Sequence, residues 1–436
     1  MAPPDRQVIA FLHRRAGWGL APGELDARTN DGVSATIDRL VDPDAHGVDP
    51  APDPWQGVDL TLPDPGTLGP NASVDQRQAA RQQLRQQGLL AIEAWLDQLA
   101  TTPRPLVDWM TWFWHGHFVS GLDKVKLPYL LVQQLRTFRS LALAPFPQLV
   151  KAATVDPAML VYLDGDTSTG AQPNENYGRE LLELFSLGIG NYSEDDVQAG
   201  ARALTGWAVQ RQAGTARFVA KRHDDAPQTY LGTNGVHDVD SVVAAVTGHP
   251  ACATFITTKL AKAILGPTVA PDLVGQLTQQ FTASGLDTKV LVRAILEAGA
   301  AGGGVGSVNQ PVPWLVSAQR ATGATFPARK RLSSLRDAGQ LPLYPPNVAG
   351  WPTGTTWFGA STTVARYDMA AAMVGSVAGD NPAFVAARNF DVDALADTLG
   401  RPEGFAPATR TALAQVKGDG RAVLALALSS PDLALA

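Results

Sequence analysis

Four short stretches of the sequence combine residue types that could do chemistry. In NENYGRELLELF, residues 174–185, Asn176, Arg179, Glu180 and Glu183 fall at relative positions 0, +3, +4 and +7. At about 100° per residue they share one helical face, behind an N-cap at Asn174 and a first-turn Glu175. Two carboxylates and a guanidinium on one face could carry protons and hold an anionic group, or could form a solvated face with an Arg179–Glu183 pair. In WFWHGHF, residues 112–118, His115 and His117 would point about 200° apart on a continuous helix. A break at Gly116 would turn both imidazoles to one side, where they could meet one metal ion or substrate. In KRHDDAP, residues 221–227, His223 followed by Asp224 offers a base with an orienting carboxylate, or a ligand pair. In YPPNVAGWPTGTTWFG, residues 344–359, prolines and glycines make a stiff loop that presents Asn347, Trp351 and Trp357.

The elements that must position these residues read as mainly α, a multi-helix single domain over 1–436 with one small β-hairpin and long irregular loops. Leu89, Ile92, Trp95, Leu96 and Leu99 form an apolar stripe within 76–101. Pro105 and Pro128 suit the first turns of two further helices. Ser193 with Asp196 reads as a capping box. Further helices are expected near 240–248, 250–265, 271–283, 288–298, 308–322 and 329–338, with more after 391. Residues 216–224 and 228–232 alternate as the two arms of a hairpin. The Pro- and Asp-rich segment 42–75 reads as a surface excursion, and AAGGGVG, 300–306, as a flexible joint. The apolar run 181–189 places the helix that begins at Asn174 in the interior.

Composition narrows the function classes. With 45% hydrophobic and 17% charged residues the chain is too apolar for disorder, and a net charge of −6 argues against a nucleic-acid partner. Cys252 is the single cysteine, so neither an internal disulfide nor a thiolate-rich metal site can form. No stretch of about 18 apolar residues is present to span a bilayer, and no secretory leader is read at the start; the expected location is cytoplasmic, with no membrane partner. Phosphate-binding and dinucleotide glycine motifs, the serine-hydrolase elbow and H-E-x-x-H are missing, so no nucleotide cofactor is expected.

FWHGHF, PAMLVYLDG, NENYGRELLELFSLGIGNYSEDDVQAGARALTGW, HDDAPQTYLG and PPNVAGWPTGTTW follow one another behind HRRAGWG. In this order they closely resemble the bacterial family called domain of unknown function 1800, over nearly the whole chain. The resemblance implies a shared fold and marked positions at His115, His117, Asn174, Glu175, Asn176, Arg179, Glu180, Trp207, His223, Asp224, Asn347 and Trp351. Gly116 and Gly165 depart from it, standing where relatives usually carry Asn. Many relatives resemble exported proteins with a phosphatase-like partner.

The reading that follows is an enzyme acting on a small polar or anionic substrate, by hydrolysis or oxidation. His115, His117, His223 and Glu180 would hold one divalent metal, Zn, Mn or Fe. Glu180, His223, Arg179 and Glu175 would carry catalysis, and Asn174, Asn176, Asn347 and Trp351 would bind substrate. The alternatives are a metal-free acid/base enzyme, a haem enzyme, or a binding or scaffold protein whose polar cluster is structural.

Overall fold

Helix starts follow local capping chemistry. The structure, a computed structural model, describes residues 4–63, 69 and 71–435. Val74–Thr101 opens on a reciprocal capping box between Ser73 and Gln76. Pro105–His117 and Pro128–Ser140 carry proline in the first turn, where its missing N–H costs nothing. Ser193 caps Glu194–Ala203 together with Asp196, as the sequence predicts. Val239–Gly248, Pro250–Leu265, Pro271–Ala283, Thr288–Ala298, Pro311–Thr322 and Ala328–Asp337 match the expected helices to within about three residues. Ala360–Met373 and Pro382–Asn389 are helices that the pattern reading leaves out. The fold is mainly α.

The strands differ in their pairing. Residues 216–224 and 228–232 do not pair with each other. Instead β1 (Trp207–Gln210) pairs antiparallel with β2 (Thr215–Phe218), and β3 (Gln228–Tyr230) with β4 (Thr233–Val236). Between the two hairpins Ala220–Arg222 forms a 3₁₀ turn. Each strand pairs with its nearest neighbour in sequence across a short loop, 211–214 or 231–232.

Among the described residues the main hydrophobic core runs from Val8 to Leu428, beside a small cluster of Ile9, Ala10, Leu20 and Leu25. The long helix Val74–Thr101 lies against Pro128–Ser140 and Pro311–Thr322. The described part of the 42–75 excursion is pinned to it: Trp55 is 2% exposed and its Nε1–H donates to the Ala91 carbonyl at 3.0 Å. Residues 64–68 and 70 of that excursion lie outside the described residues. The 300–306 segment is tied down, against the expectation of a joint. It continues Thr288–Ala298 as a wide turn, Gly299–Gly303, kinked at the left-handed Gly302 (φ 91), and the Val305 N–H donates to the Leu265 carbonyl at 2.7 Å. Close packing on Phe11 leaves no room for a side chain at Gly304. Among the described residues no single helix is long and apolar enough to cross a membrane.

Candidate functional site

The stretch 174–186 does form a helix, and its hydrogen bonding changes along its length. Asn174 caps it, its Oδ1 accepting from the Asn176 N–H at 2.9 Å. Glu175–Glu180 is α-helical, and Leu181–Ser186 then widens to a π-helix. The Leu187 N–H reaches the Leu182 carbonyl at 2.9 Å across the wider turn. Two side chains from elsewhere take carbonyls near its end: Lys259 Nζ donates to Leu184 at 3.2 Å, and His117 Nε2 to Phe185 at 2.9 Å. Short π-helical turns inside α-helices are rare and recur at functional sites.

The polar stripe of this helix faces the surface. Arg179 pairs with Glu194 of the next helix and, at 3.2 Å, with Glu175, so its guanidinium is already held by carboxylates. The sequence reading expects an anionic substrate group at this arginine, where the fold sets these two carboxylates. Asn176 is exposed, and its amide donates to Asp164 Oδ2 at 3.1 Å. Asp164 also accepts from Lys124 Nζ at 2.7 Å. Glu183 accepts from the Tyr192 hydroxyl at 2.8 Å. Glu180 differs from these neighbours: it is half-buried and none of them hydrogen-bonds it. Burial, followed by the charge of Glu183, raises its pKa despite Arg179. Tyr162 lies close by; burial with the charges of Asp123 and Glu180 pushes its hydroxyl up to about 12.

The histidines do not converge on Glu180. Pro105–His117 is unbroken, so Gly116 makes no bend and His115 and His117 face apart. Gly350, at φ 83, packs its backbone onto the Gly116 carbonyl, where a Cβ would sit 2.6 Å from the oxygen. His115 is fully buried among Trp95, Trp112 and Trp351, and its Nε2 accepts from the Leu343 N–H at 3.3 Å. His117 lies among Phe113, Phe146 and Phe185. Burial lowers both pKa values, that of His115 to about 3, so both rings are neutral. His223 sits in a third setting, beside Phe218, with Nδ1 2.9 Å from the Thr205 carbonyl. Its neighbour Asp224 pairs with Arg202 and does not orient the imidazole. The metal set His115, His117, His223 and Glu180 is therefore not assembled, and no group of three or more His, Cys, Asp or Glu side chains among the described residues could hold a metal ion.

The loop 344–359 serves the fold. Asn347 is exposed and closes a turn, its Oδ1 accepting from the Ala349 N–H at 2.9 Å. Trp351 stacks on Trp112 at 5.4 Å, within the box around His115. Neither reaches the polar stripe as a substrate binder. The loop bearing His223 does approach the start of the helix. The Gly170 N–H donates to the Arg222 carbonyl at 2.7 Å, and the Asn174 N–H to Ser168 Oγ at 3.0 Å. Here Ser168, Asn174, Tyr177 and Trp207 line a small cleft. It encloses ≈ 10 Å³ of space for a water-sized sphere, room for about one water.

Pattern reading missed Lys124, Tyr162 and Asp164, which build the surface around Glu180. Asp164 lies within the quoted PAMLVYLDG, and only contact with Asn176 reveals its use. Asp156 was missed too. It is 6% exposed, its Oδ1 accepts from Gln134 Nε2 at 2.7 Å and from the Met159 N–H at 2.9 Å, and burial raises its pKa to about 7.

Neither the curated proteins nor the solved structures contain a significant match to this chain. A family model does match, that of the protein of unknown function DUF1800, over residues 11–435. Its span takes in the capped π-helix, the surface around Glu180 and the aromatic boxes around His115 and His117, and the chain belongs to the DUF1800 family.

Proposed function

We propose that the chain is an acid/base enzyme whose proton-carrying group is the Glu180 carboxylate, working without a metal on a small polar substrate at the surface of the 174–186 helix. The observation that carries this reading is Glu180 itself, a half-buried carboxylate with a raised pKa at the α-to-π junction. Its proton affinity is moved toward neutrality, the direction that acid/base work requires, and it stays within reach of solvent. Tyr162 lies near it, and Asn176 on the same helix face and Lys124 meet at Asp164. Asp164 holds Lys124, Glu175 and Glu194 hold Arg179, and Glu183 accepts from Tyr192, so carboxylates dominate this surface. That surface favours a neutral or cationic substrate over an anionic one. The metal-assisted alternative draws no support from the separated histidines.

A panel of chromogenic esters, amides and glycosides, assayed with wild type and Glu180→Gln, tests the proposal. An activity lowered about 10²- to 10⁴-fold by E180Q is expected, with the fold retained. Activity undiminished by E180Q overturns it, as does activity abolished by exhaustive chelation and restored by metal.

A second reading is a binding or scaffold protein. The capping role of Asn174 and the ion pairs of Arg179 favour it, since both use the polar residues for structure. Thermal unfolding separates the two. If Glu180 is a tuned group, E180Q raises stability at pH 7 by removing a charge that burial disfavours; if Glu180 holds a network together, E180Q lowers it.

A further inference from the structure

The stretch HRRAGWG, residues 13–19, takes no part in the surface around Glu180. It comprises the last turn of the N-terminal helix Asp5–Ala16 and the three residues after it, with two successive left-handed residues, Trp18 at φ 63 and Gly19 at φ 79. Gly19 is required by close approach: a Cβ there would lie 2.3 Å from Ser317 Oγ on the helix Pro311–Thr322. For Trp18, a bulky residue, this conformation is uncommon and strained. It sets the indole at 2% exposure, edge-on to Trp112, with no acceptor for its Nε1–H.

Beside Trp18 the charge does not balance. Arg14, Arg15 and Arg401 lie close enough that Arg401 lowers the pKa of the other two, adding to the larger effect of burial. A guanidinium does not shed its proton in response, so the charge stays. Against these three cations the described residues set one carboxylate, Glu403, 3.3 Å from Arg14 and 3.0 Å from Arg401. Arg15 is 4% exposed and has no carboxylate in ion-pair reach among the described residues; it donates to the Val305 carbonyl. Arg14 also donates to the Gly400 carbonyl and Arg401 to those of Asp432 and Leu435, while the Nε–H of all three arginines finds no acceptor among the described residues. Carbonyl dipoles satisfy hydrogen bonds without neutralising charge. Among the described residues this leaves two positive charges in excess, largely withdrawn from water, a costly state without a counter-anion.

A cavity adjoins this cluster. Its polar lining is Arg14, Trp18, Asn309 and Ser317, its apolar lining includes Trp109 and Leu433, and no carboxylate of the described residues lines it. It encloses ≈ 20 Å³ of space for a water-sized sphere, more than one water needs. Asn309 is fixed from behind: its carbonyl accepts from Arg366, and its backbone N–H donates to the Ala434 carbonyl at 2.8 Å.

We propose that this cavity is an anion site that takes a small carboxylate, held by the Arg14 guanidinium and the Trp18 indole N–H. Asn309 and Ser317 complete the shell of donors, and the apolar wall admits a methyl-sized substituent. Charge-assisted hydrogen bonds of this kind are about twice as strong as neutral ones. The site is built from elements other than those around Glu180, and does not depend on the reading of that surface.

Titration of the full chain with sodium acetate, against sodium chloride at the same ionic strength, tests the proposal. Acetate is expected to raise the unfolding midpoint and change tryptophan fluorescence saturably, where chloride does neither. Arg14→Gln is expected to weaken acetate binding at least tenfold. Trp18→Phe keeps the ring but removes the donor; it should weaken binding several-fold and serves where R14Q does not fold. Arg179→Ala, at a residue outside the cavity lining, should bind acetate as wild type does. Acetate acting no differently from chloride overturns the proposal, as does an unchanged acetate response in W18F.

Discussion

His13, His115 and His117 are neutral in the folded chain because burial penalises their charged forms, taking His13 to about 4 and His115 to about 3. Unfolding returns each to an ordinary value near 6.5. The unfolded chain therefore binds more protons between those limits, and stability present above about pH 6.5 is lost as pH falls toward the folded values. Asp156 acts in the opposite sense. Its folded pKa of about 7 lies above the unfolded 3.8, so its contribution is fully present below 3.8 and is lost as pH rises through about 7. Three histidines outweigh one aspartate, leaving about two protons taken up on unfolding near pH 5. Urea unfolding at pH 7 and pH 5 should show a clear loss at the lower pH. Asp156→Asn should steepen that loss, because it removes the opposing group while leaving a side chain that can still cap the helix. An equal or shallower pH dependence in D156N would show that Asp156 does not carry its proton in the fold.

At the scale of the element, the ion pairs and the caps around the 174–186 helix do different amounts of work. Arg179 is about one-third exposed, and its partner Glu194 more so. Exposed pairs contribute about 0–1 kcal/mol, and Arg179→Ala should change stability by no more than that. Ser193 satisfies a helix-end N–H that has no partner within its helix, and Ser193→Ala should cost about 1 kcal/mol. Chemical denaturation of both variants checks the order; R179A proving the more damaging would mean that the Arg179 pairs organise the surface. The π-helix depends on more than its own residues. Its Phe185 and Leu184 carbonyls need His117 and Lys259, which arrive from two other helices.

Across the whole molecule, the histidine-bearing helix and the 344–359 loop interlock at Gly350. Its positive φ and the contact with the Gly116 carbonyl both exclude a side chain. Gly350→Ala should destabilise the chain by about 2–3 kcal/mol or more, read as a lower thermal midpoint. Trp112 and His115 would feel the shift, since Trp351 packs against both. Gly350→Ala leaving the midpoint unchanged would mean that this contact is not needed.

Elements whose cause is local were legible in the sequence. Pro105 and Pro128 announce helix starts because φ and the missing N–H are properties of one residue. Ser193 with Asp196 announces a cap because its bonds span three residues, and Trp95 announces a buried stripe because helical period is written into neighbours. Asn174 was legible as a cap for the same reason. The site was much less so. Whether Gly116 breaks its helix is settled by the Leu343 N–H on His115 and by Gly350 on the Gly116 carbonyl, contacts more than two hundred residues away. Whether Arg179 is free for a ligand is settled by Glu194, on another helix. The sequence by itself determined the helical class, the caps and the residues able to carry charge. Tertiary structure alone decided which of them face water and which meet, because pKa, pairing and burial depend on neighbours that only the packed chain brings together.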